Sequence, residues 1–156
     1  MNIQKDLKNE QVTHLNLSRF CQTESGTPVR QVLNLMRTTG RGTCLILKGG
    51  RLVGIFTERD VLTKVVGLAD VLNKAIDEIM TGNPKVITPQ LSAAAALTLM
   101  DSEHFRNLPV VNEDGQIVGD MTYQAIIDYL AGLYPVEVLN RPPDPERFPR
   151  KPEGGD

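Results

Sequence analysis

The chain's 156 residues carry 17 Lys and Arg against 19 Asp and Glu, and this formal net charge of −2 gives no overall pull toward nucleic acid or an anionic membrane. Hydrophobic residues make up 40%, enough for a sizeable core in one compact domain or in two small repeats sharing it. Aromatics are 4% with no Trp, too few for a base-stacking surface. Cys21 and Cys44 have neither CxxC spacing nor a neighbouring His, so neither a metal centre nor a disulfide framework is indicated.

The start, Met1 to Glu10, is polar, without the apolar stretch of a signal peptide, and no later run is long and apolar enough to span a membrane. The expectation is a cytoplasmic chain with no membrane contact. Two later segments read alike. TPVRQVLNLM followed by RGTCLILKGGRLVGIFTERDVL is matched by LSAAAALTLM followed by RNLPVVNEDGQIVGDMTYQAII. Met36 and Met100 stand 64 residues apart and Gly54 and Gly119 stand 65 apart. The extra residue is expected among the polar segments Arg37–Gly40 and Asp101–Phe105. The repeat divides the chain into an N-terminal segment (1–13), a first repeat (14–72), a linker helix with a second repeat (73–133) and a tail (134–156).

In chain order, a short strand is expected around Phe20–Thr23. A helix follows, with Val29, Val32, Leu33 and Met36 on one face, Thr27 as N-cap and Pro28 at its first position. The strand Cys44–Leu47 turns at Gly49-Gly50 into Leu52–Phe56. A helix then starts at Thr57, with Val61, Leu62, Val65 and Val66 as its apolar face. Val71–Met80 reads as a connecting helix that ends at Thr81-Gly82-Asn83-Pro84, ahead of a short strand at Val86-Ile87. In the second repeat, Ala93, Ala96, Leu97 and Met100 form a helix face capped by Ser92, and the small alanines suit close packing on a neighbouring helix. Strands Pro109–Val111 and Gln116–Met121 flank the Asp114-Gly115 turn. A helix from Thr122 carries Ile126, Ile127 and Leu130. Six of the ten prolines lie beyond Tyr134, which excludes regular structure there and leaves either a disordered tail or an extended arm lying on another surface.

The sharpest local motif is Gly54-Ile-Phe-Thr57-Glu-Arg-Asp60, where a strand passes into a helix. Thr57 and Asp60 fit a capping box, the carboxylate reaching back to the Thr57 amide. The same two groups also fit a binding role. A hydroxyl and a carboxylate on one face of a first helical turn could hold ribose or phosphate, the carboxylate accepting from a ribose diol. Catalysis has little support. Glu58 and Asp60 point apart at i and i+2, and His14 and His104 join no nucleophile-base-acid ordering.

Together the paired motifs LPVVNEDGQIVG and GIFTERD, with the passage IMTGNPKVITP between repeats, resemble a tandem CBS domain pair. The resemblance covers Leu15 to Leu133. It implies an α+β fold of two βαββα repeats related by a pseudo-twofold axis, with two clefts between them. It also implies a non-catalytic regulatory module that needs no cofactor. Its regulatory ligand would be an adenine nucleotide (AMP, ADP or ATP) or S-adenosylmethionine, and it would act as a homodimer on an unidentified regulated protein. Carried over, Thr57 would contact ribose or phosphate and Asp60 would hold the ribose hydroxyls. The backbone of Gly42, Thr43 and Cys44 would line the adenine, Ile55 would add an apolar wall, and Ile87 with Thr88 would close the cleft. Arg41 or Arg59 would meet phosphate. The second repeat departs from the pattern: Thr122 is kept, but Ala125 stands where the carboxylate would be. A second, weaker cleft is therefore expected around Arg106, Asn107, Leu108 and Thr122. A scaffold with vestigial clefts is the alternative reading.

Overall fold

The structure, a computed structural model, describes residues 2–133; the proline-rich tail, expected to be disordered or an extended arm, lies outside them. Helix α1 (Ile3–Asn9) and a single 3-10 turn (Val12–His14) lead into strand β1 (Cys21–Glu24) and helix α2 (Val29–Thr39). Strands β2 (Thr43–Lys48) and β3 (Arg51–Thr57) form a hairpin, and α3 (Glu58–Asp60) follows. After the connecting stretch and β4 (Thr81–Gly82) come α4 (Ala93–Ser102), the hairpin β5 (Asn107–Val111) and β6 (Ile117–Thr122), and α5 (Tyr123–Leu133).

The first sheet has the order β1-β2-β3-β4, with β1 parallel to β2 and the other pairs antiparallel. The second half repeats this with less regular pairing. Ile87 makes a parallel bridge to Val110, in the place of β1, and the Leu17 carbonyl accepts from the Asp120 amide at 2.9 Å, in the place of β4. The twofold relation is visible bond by bond. Val12 N–H donates to Leu91 O at 2.9 Å, and Ile76 N–H, 64 residues on, donates to Thr27 O, 64 residues back, at 2.8 Å. The bridges Gln11 to Ser92 and Pro28 to Ala75 are exchanged in the same way. The N-terminal segment therefore docks on the second half, and the connecting stretch docks on the first.

Each half has its own core on the helix side of its sheet. Val29, Val32, Met36, Cys44, Ile46 and Phe56 pack with Val71 and Ile76 of the connecting stretch. Ala93, Ala96, Met100, Leu108, Val110, Met121 and Ile126 pack with Leu7, Val12, Leu15 and Leu17. Ala93 and Ala96 are fully buried and α1 lies against α4, the close approach their small side chains suit. Cys21 and Cys44 are register partners across β1 and β2, both reduced and buried.

Several local expectations change. The extra residue of the second repeat lies in the hairpin turn, because Arg41 N–H to Met36 O and Phe105 N–H to Met100 O already stand 64 apart. Residues 48–51 turn the first hairpin on Gly49 and Gly50, both at positive φ. Residues 112–116 turn the second, where Asn112 Oδ1 accepts from the Asp114 and Gln116 amides at 3.0 and 2.9 Å. The N-cap of α2 is Pro28, since the Thr27 hydroxyl is drawn back to Glu24 O at 2.7 Å. The connecting helix is instead two 3-10 turns, Ala69–Val71 and Ile76–Glu78, because its backbone bonds go to α2 and to Thr27. The helix after Thr57 is one α turn that widens into a π-helical run, Val61–Val65; Leu62 and Val66 on it are 71% and 66% exposed and form no buried face.

Candidate functional site

A cavity of about 630 Å³ opens between the two halves. Its walls are the starts of β2 and β5 and the ends of β3 and β6. These four strand ends meet because Thr43 pairs with Thr57 and Asn107 with Thr122 at the same rim of their hairpins. From the first half come Gly42, Thr43, Ile55, Thr57, Glu58, Arg59 and Asp60; from the second come His104, Phe105, Arg106, Asn107, Leu108, Pro109 and Thr122. Thr81, Asn83, Pro84 and Lys85 of the connecting stretch complete it. The fold assembles the site from both repeats at once.

Asp60 is the buried acid of this cavity. Its Oδ2 accepts from the Thr57 amide at 3.0 Å and the Thr57 hydroxyl at 3.2 Å, and its Oδ1 is 3.2 Å from Lys64 Nζ. Lys64 is held in turn by Ile79 O at 2.8 Å. The capping box and the binding geometry therefore coexist. A carboxylate offers about four acceptor positions, so these bonds leave capacity for a diol. In the second half Thr122 Oγ1 accepts from the Ala125 amide at 3.2 Å, and no acid accompanies it. Glu58 folds over Gly42, whose carbonyl accepts the Glu58 amide at 3.0 Å; a Cβ on Gly42 would stand 2.9 Å from the Glu58 carboxyl carbon. Cationic side chains line the cavity from three parts of the chain: Arg59 from the first half, Arg106 from the second, and Lys85 of the connecting stretch, whose Nζ lies 3.9 Å from Glu103 Oε1; Arg106 and Lys85 are exposed, and His104 lines the cavity as well.

The sequence-selected residues divide as follows. Gly42, Thr43, Ile55, Thr57, Arg59 and Asp60 share the cavity, and Arg106, Asn107, Leu108 and Thr122, assigned to a separate second cleft, line the same space. Cys44 and Arg41 do not line it. Cys44 alternates to the core face of β2, and Arg41 precedes the strand. Ile87 and Thr88 do not close it either. Ile87 bonds to the β5 backbone at Pro109 and Val111 and is buried in the second core, and both residues border a different depression, of about 640 Å³, beside the β5–β6 turn. Lys85, Asn83 and Pro84 were not selected from sequence. They reach the cavity because Gly82 pairs with Gly54, which carries residues 83–85 past the motif, a long-range pairing that no local pattern signals. Among the described residues no group of three His, Cys, Asp or Glu could hold a metal, and no helix is long and apolar enough to cross a membrane.

Two twofold-related βαββα halves that share one mixed-polarity cavity define a tandem-repeat module. The chain belongs to the CBS domain family, which matches residues 23–67 and 76–132. Among curated proteins it is 31% identical over 122 residues to the arabinose 5-phosphate isomerase KdsD of Pseudomonas aeruginosa, covering 78% of this chain and only 37% of that enzyme's length. Among solved structures it resembles CBSX2 in complex with AMP, at 22% identity and a TM-score of 0.73, covering 81% of this chain and all of that one. It also resembles the CBS domain pair of protein MJ0100 in complex with 5′-methylthioadenosine and S-adenosyl-L-methionine, at 21% identity and a TM-score of 0.69, covering 79% of this chain and 97% of that one.

Proposed function

We propose that this protein is a non-catalytic regulatory module that binds an adenosine-containing ligand, an adenine nucleotide or S-adenosylmethionine, in the cavity between its halves. The observation that carries the reading is the set of charges lining that cavity: Asp60 with Thr57 from the first half, Arg106 from the second and Lys85 from the connecting stretch. A ribose diol suits the acid, phosphates suit the cations, and Ile55 and Pro109 offer an apolar seat for a base. The AMP held by CBSX2 and the adenosyl ligands held by the MJ0100 pair support the ligand class. Ligand contact with both halves at once is what lets binding favour one arrangement of the repeats over another.

Output would pass through a homodimer or a separate regulated protein in the cytoplasm. Leu62, Val66 and Leu68 after β3, and Ile127 and Leu133 on α5, are apolar and more than two-fifths exposed, as a subunit interface requires. A scaffold role without ligand is favoured by one observation: both Asp60 oxygens already have partners in Thr57 and Lys64.

Thermal denaturation with AMP, ADP, ATP and S-adenosylmethionine separates the two. A binding module gains stability as RT ln(1 + [L]/Kd), and Asp60→Ala should remove that gain, at a cost of about 1 kcal/mol for the lost cap. No shift with any of the four would leave the scaffold.

A further inference from the structure

Asp120 takes no part in the site so far described, yet it is the fully buried acid of the second half. It occupies the β6 position equivalent to Ile55 on β3, 65 residues earlier. Its carboxylate receives Asn107 Nδ2 at 3.1 Å on Oδ1 and 3.2 Å on Oδ2. Asn107 is the diagonal neighbour of Asp120 on the strand face turned away from the second core, since the intervening Leu108 and Met121 belong to that core. Asn107 is also half-buried in the cavity wall. An ionised carboxylate only accepts, so the Asn107 amide must turn its NH₂ inward and leave its carbonyl oxygen facing away. Among the described residues no donor reaches that oxygen, and it is not sealed from solvent.

We propose that Asp120 is a positioning residue which, through Asn107, sets the hydrogen-bonding polarity of the cavity wall and so selects between ligands that donate and ligands that accept there. With Asp120 ionised, Asn107 presents a carbonyl and favours a 6-amino purine. A proton taken from solvent onto Asp120 makes it a donor; the amide turns over, its carbonyl accepts from the acid, and its NH₂ faces the cavity and favours a 6-oxo purine. Burial pushes the Asp120 carboxyl up to about 7, the Asn107 amide opposing only in part, so the change falls near neutral pH. No charged side chain contributes to that position. Beside Asp120, β5 offers Asn107 and Pro109, and the N-terminal segment offers the Leu17 carbonyl and, two residues on, Arg19, which is bound to Asp128 of α5 at 2.7 Å. On the cavity side the charged and titratable groups are Glu58, Arg59, Asp60, Lys85, His104 and Arg106.

The selector rests on the nucleotide reading for its ligands but not for its proton. Two measurements on the full chain therefore test it. The first follows the Asn107 side-chain NH₂ resonances by NMR without ligand; they should titrate with a midpoint near the Asp120 value, and in Asp120→Asn they should not. The second measures AMP and IMP affinities by calorimetry. The AMP-to-IMP preference should fall about tenfold between about pH 8.5 and about pH 5.5, the size of one hydrogen bond made or left unpaired, and should be flat in Asp120→Asn. Titration of any group near the phosphate acts on both nucleotides alike and cancels in the ratio. An Asn107 amide that does not titrate overturns the selector, as does a pH-independent preference. If neither nucleotide binds while the amide titrates, the nucleotide reading fails and the proton-operated amide stands.

Discussion

Gly119 lies directly against Leu17: a Cβ added there would meet the Leu17 side chain at its root and stand 2.7 Å from the Leu17 carbonyl oxygen. Gly54, its counterpart in the first half, lies against Met80, but the atoms a Cβ would meet there are Sδ, Cγ and Cε of a flexible side chain. The two crossings are related by the twofold, and they differ in what must yield. Gly119→Ala should be the more damaging change, by an overpacking cost of about 1–3 kcal/mol, because backbone cannot rotate aside. Gly54→Ala should cost less, since methionine adapts to altered space. Chemical denaturation of both variants checks the order; an equal or reversed order would mean that the N-terminal segment is not fixed on β6.

Removing that segment tests the same crossing more severely. Leu7, Val12, Leu15 and Leu17 are all buried in the second core. A chain beginning at Ser18 loses these four side chains, and with them the carbonyl that accepts the Asp120 amide. The expected result is selective loss of hydrogen-exchange protection in α4, β5 and β6, with β1–β3 less affected. Uniform loss across both sheets would show instead that the halves unfold only together.

How much of this could be read from the sequence depends on where the information is local. The α2 and α4 faces, both hairpins and the Thr57–Asp60 pair follow from periodicity, turn chemistry and spacing of three, all of which act within a few residues. The N-terminal segment was opaque because its apolar residues, Leu7, Val12, Leu15 and Leu17, have no clean helical or alternating period; they serve as the counterpart of Val71–Met80, where 3-10 turns break the period too. Val71, Ala75 and Ile79, spaced four apart, made Val71–Met80 read as one helix although the chain there forms separate 3-10 turns. Ile87 and Thr88 were carried over from the family resemblance, and nothing local in Val86-Ile87-Thr88 shows that this stretch pairs with β5 beside the second core instead of facing the cavity. The merging of two expected clefts into one space depends on how the sheets meet, which no local pattern encodes.

His104 holds φ +57 at the end of α4, where the first half has Gly40 at φ +65. The preceding turn closes in the same way in both, Phe105 N–H reaching Met100 O at 2.9 Å as Arg41 N–H reaches Met36 O at 3.1 Å. A left-handed backbone costs a residue with a Cβ about 1 kcal/mol or more relative to glycine. His104 also lines the cavity, so the strain accompanies a side chain placed where phosphate is proposed to sit. His104→Gly should raise the melting temperature and weaken nucleotide binding together. A variant that is more stable and binds as before would remove His104 from the site.

Asp120 should make the protein less stable in base than in acid, against the usual behaviour of carboxylates. Its carboxyl sits at about 7 in the folded chain and near 4 once unfolded. Between those two values the folded chain keeps a proton that the unfolded chain has lost, so stability falls as pH rises through the window and levels off above it. Asp77 and Asp128 act in the opposite sense. Ser25, followed by the Gly26 amide, holds Asp77 below the ordinary carboxylate value, and Arg19 with Gln124 holds Asp128 there; Asp77 is exposed and Asp128 half-buried at the surface, so solvent screens both in large part. Comparing Asp120→Asn with the unaltered chain isolates the one group, because every other carboxylate is common to both. The variant should match the unaltered chain near pH 4, where both carry a neutral side chain, and exceed it in melting temperature by a margin that grows to about pH 7 and then stays constant. A margin independent of pH would place the Asp120 proton outside the folded state's control.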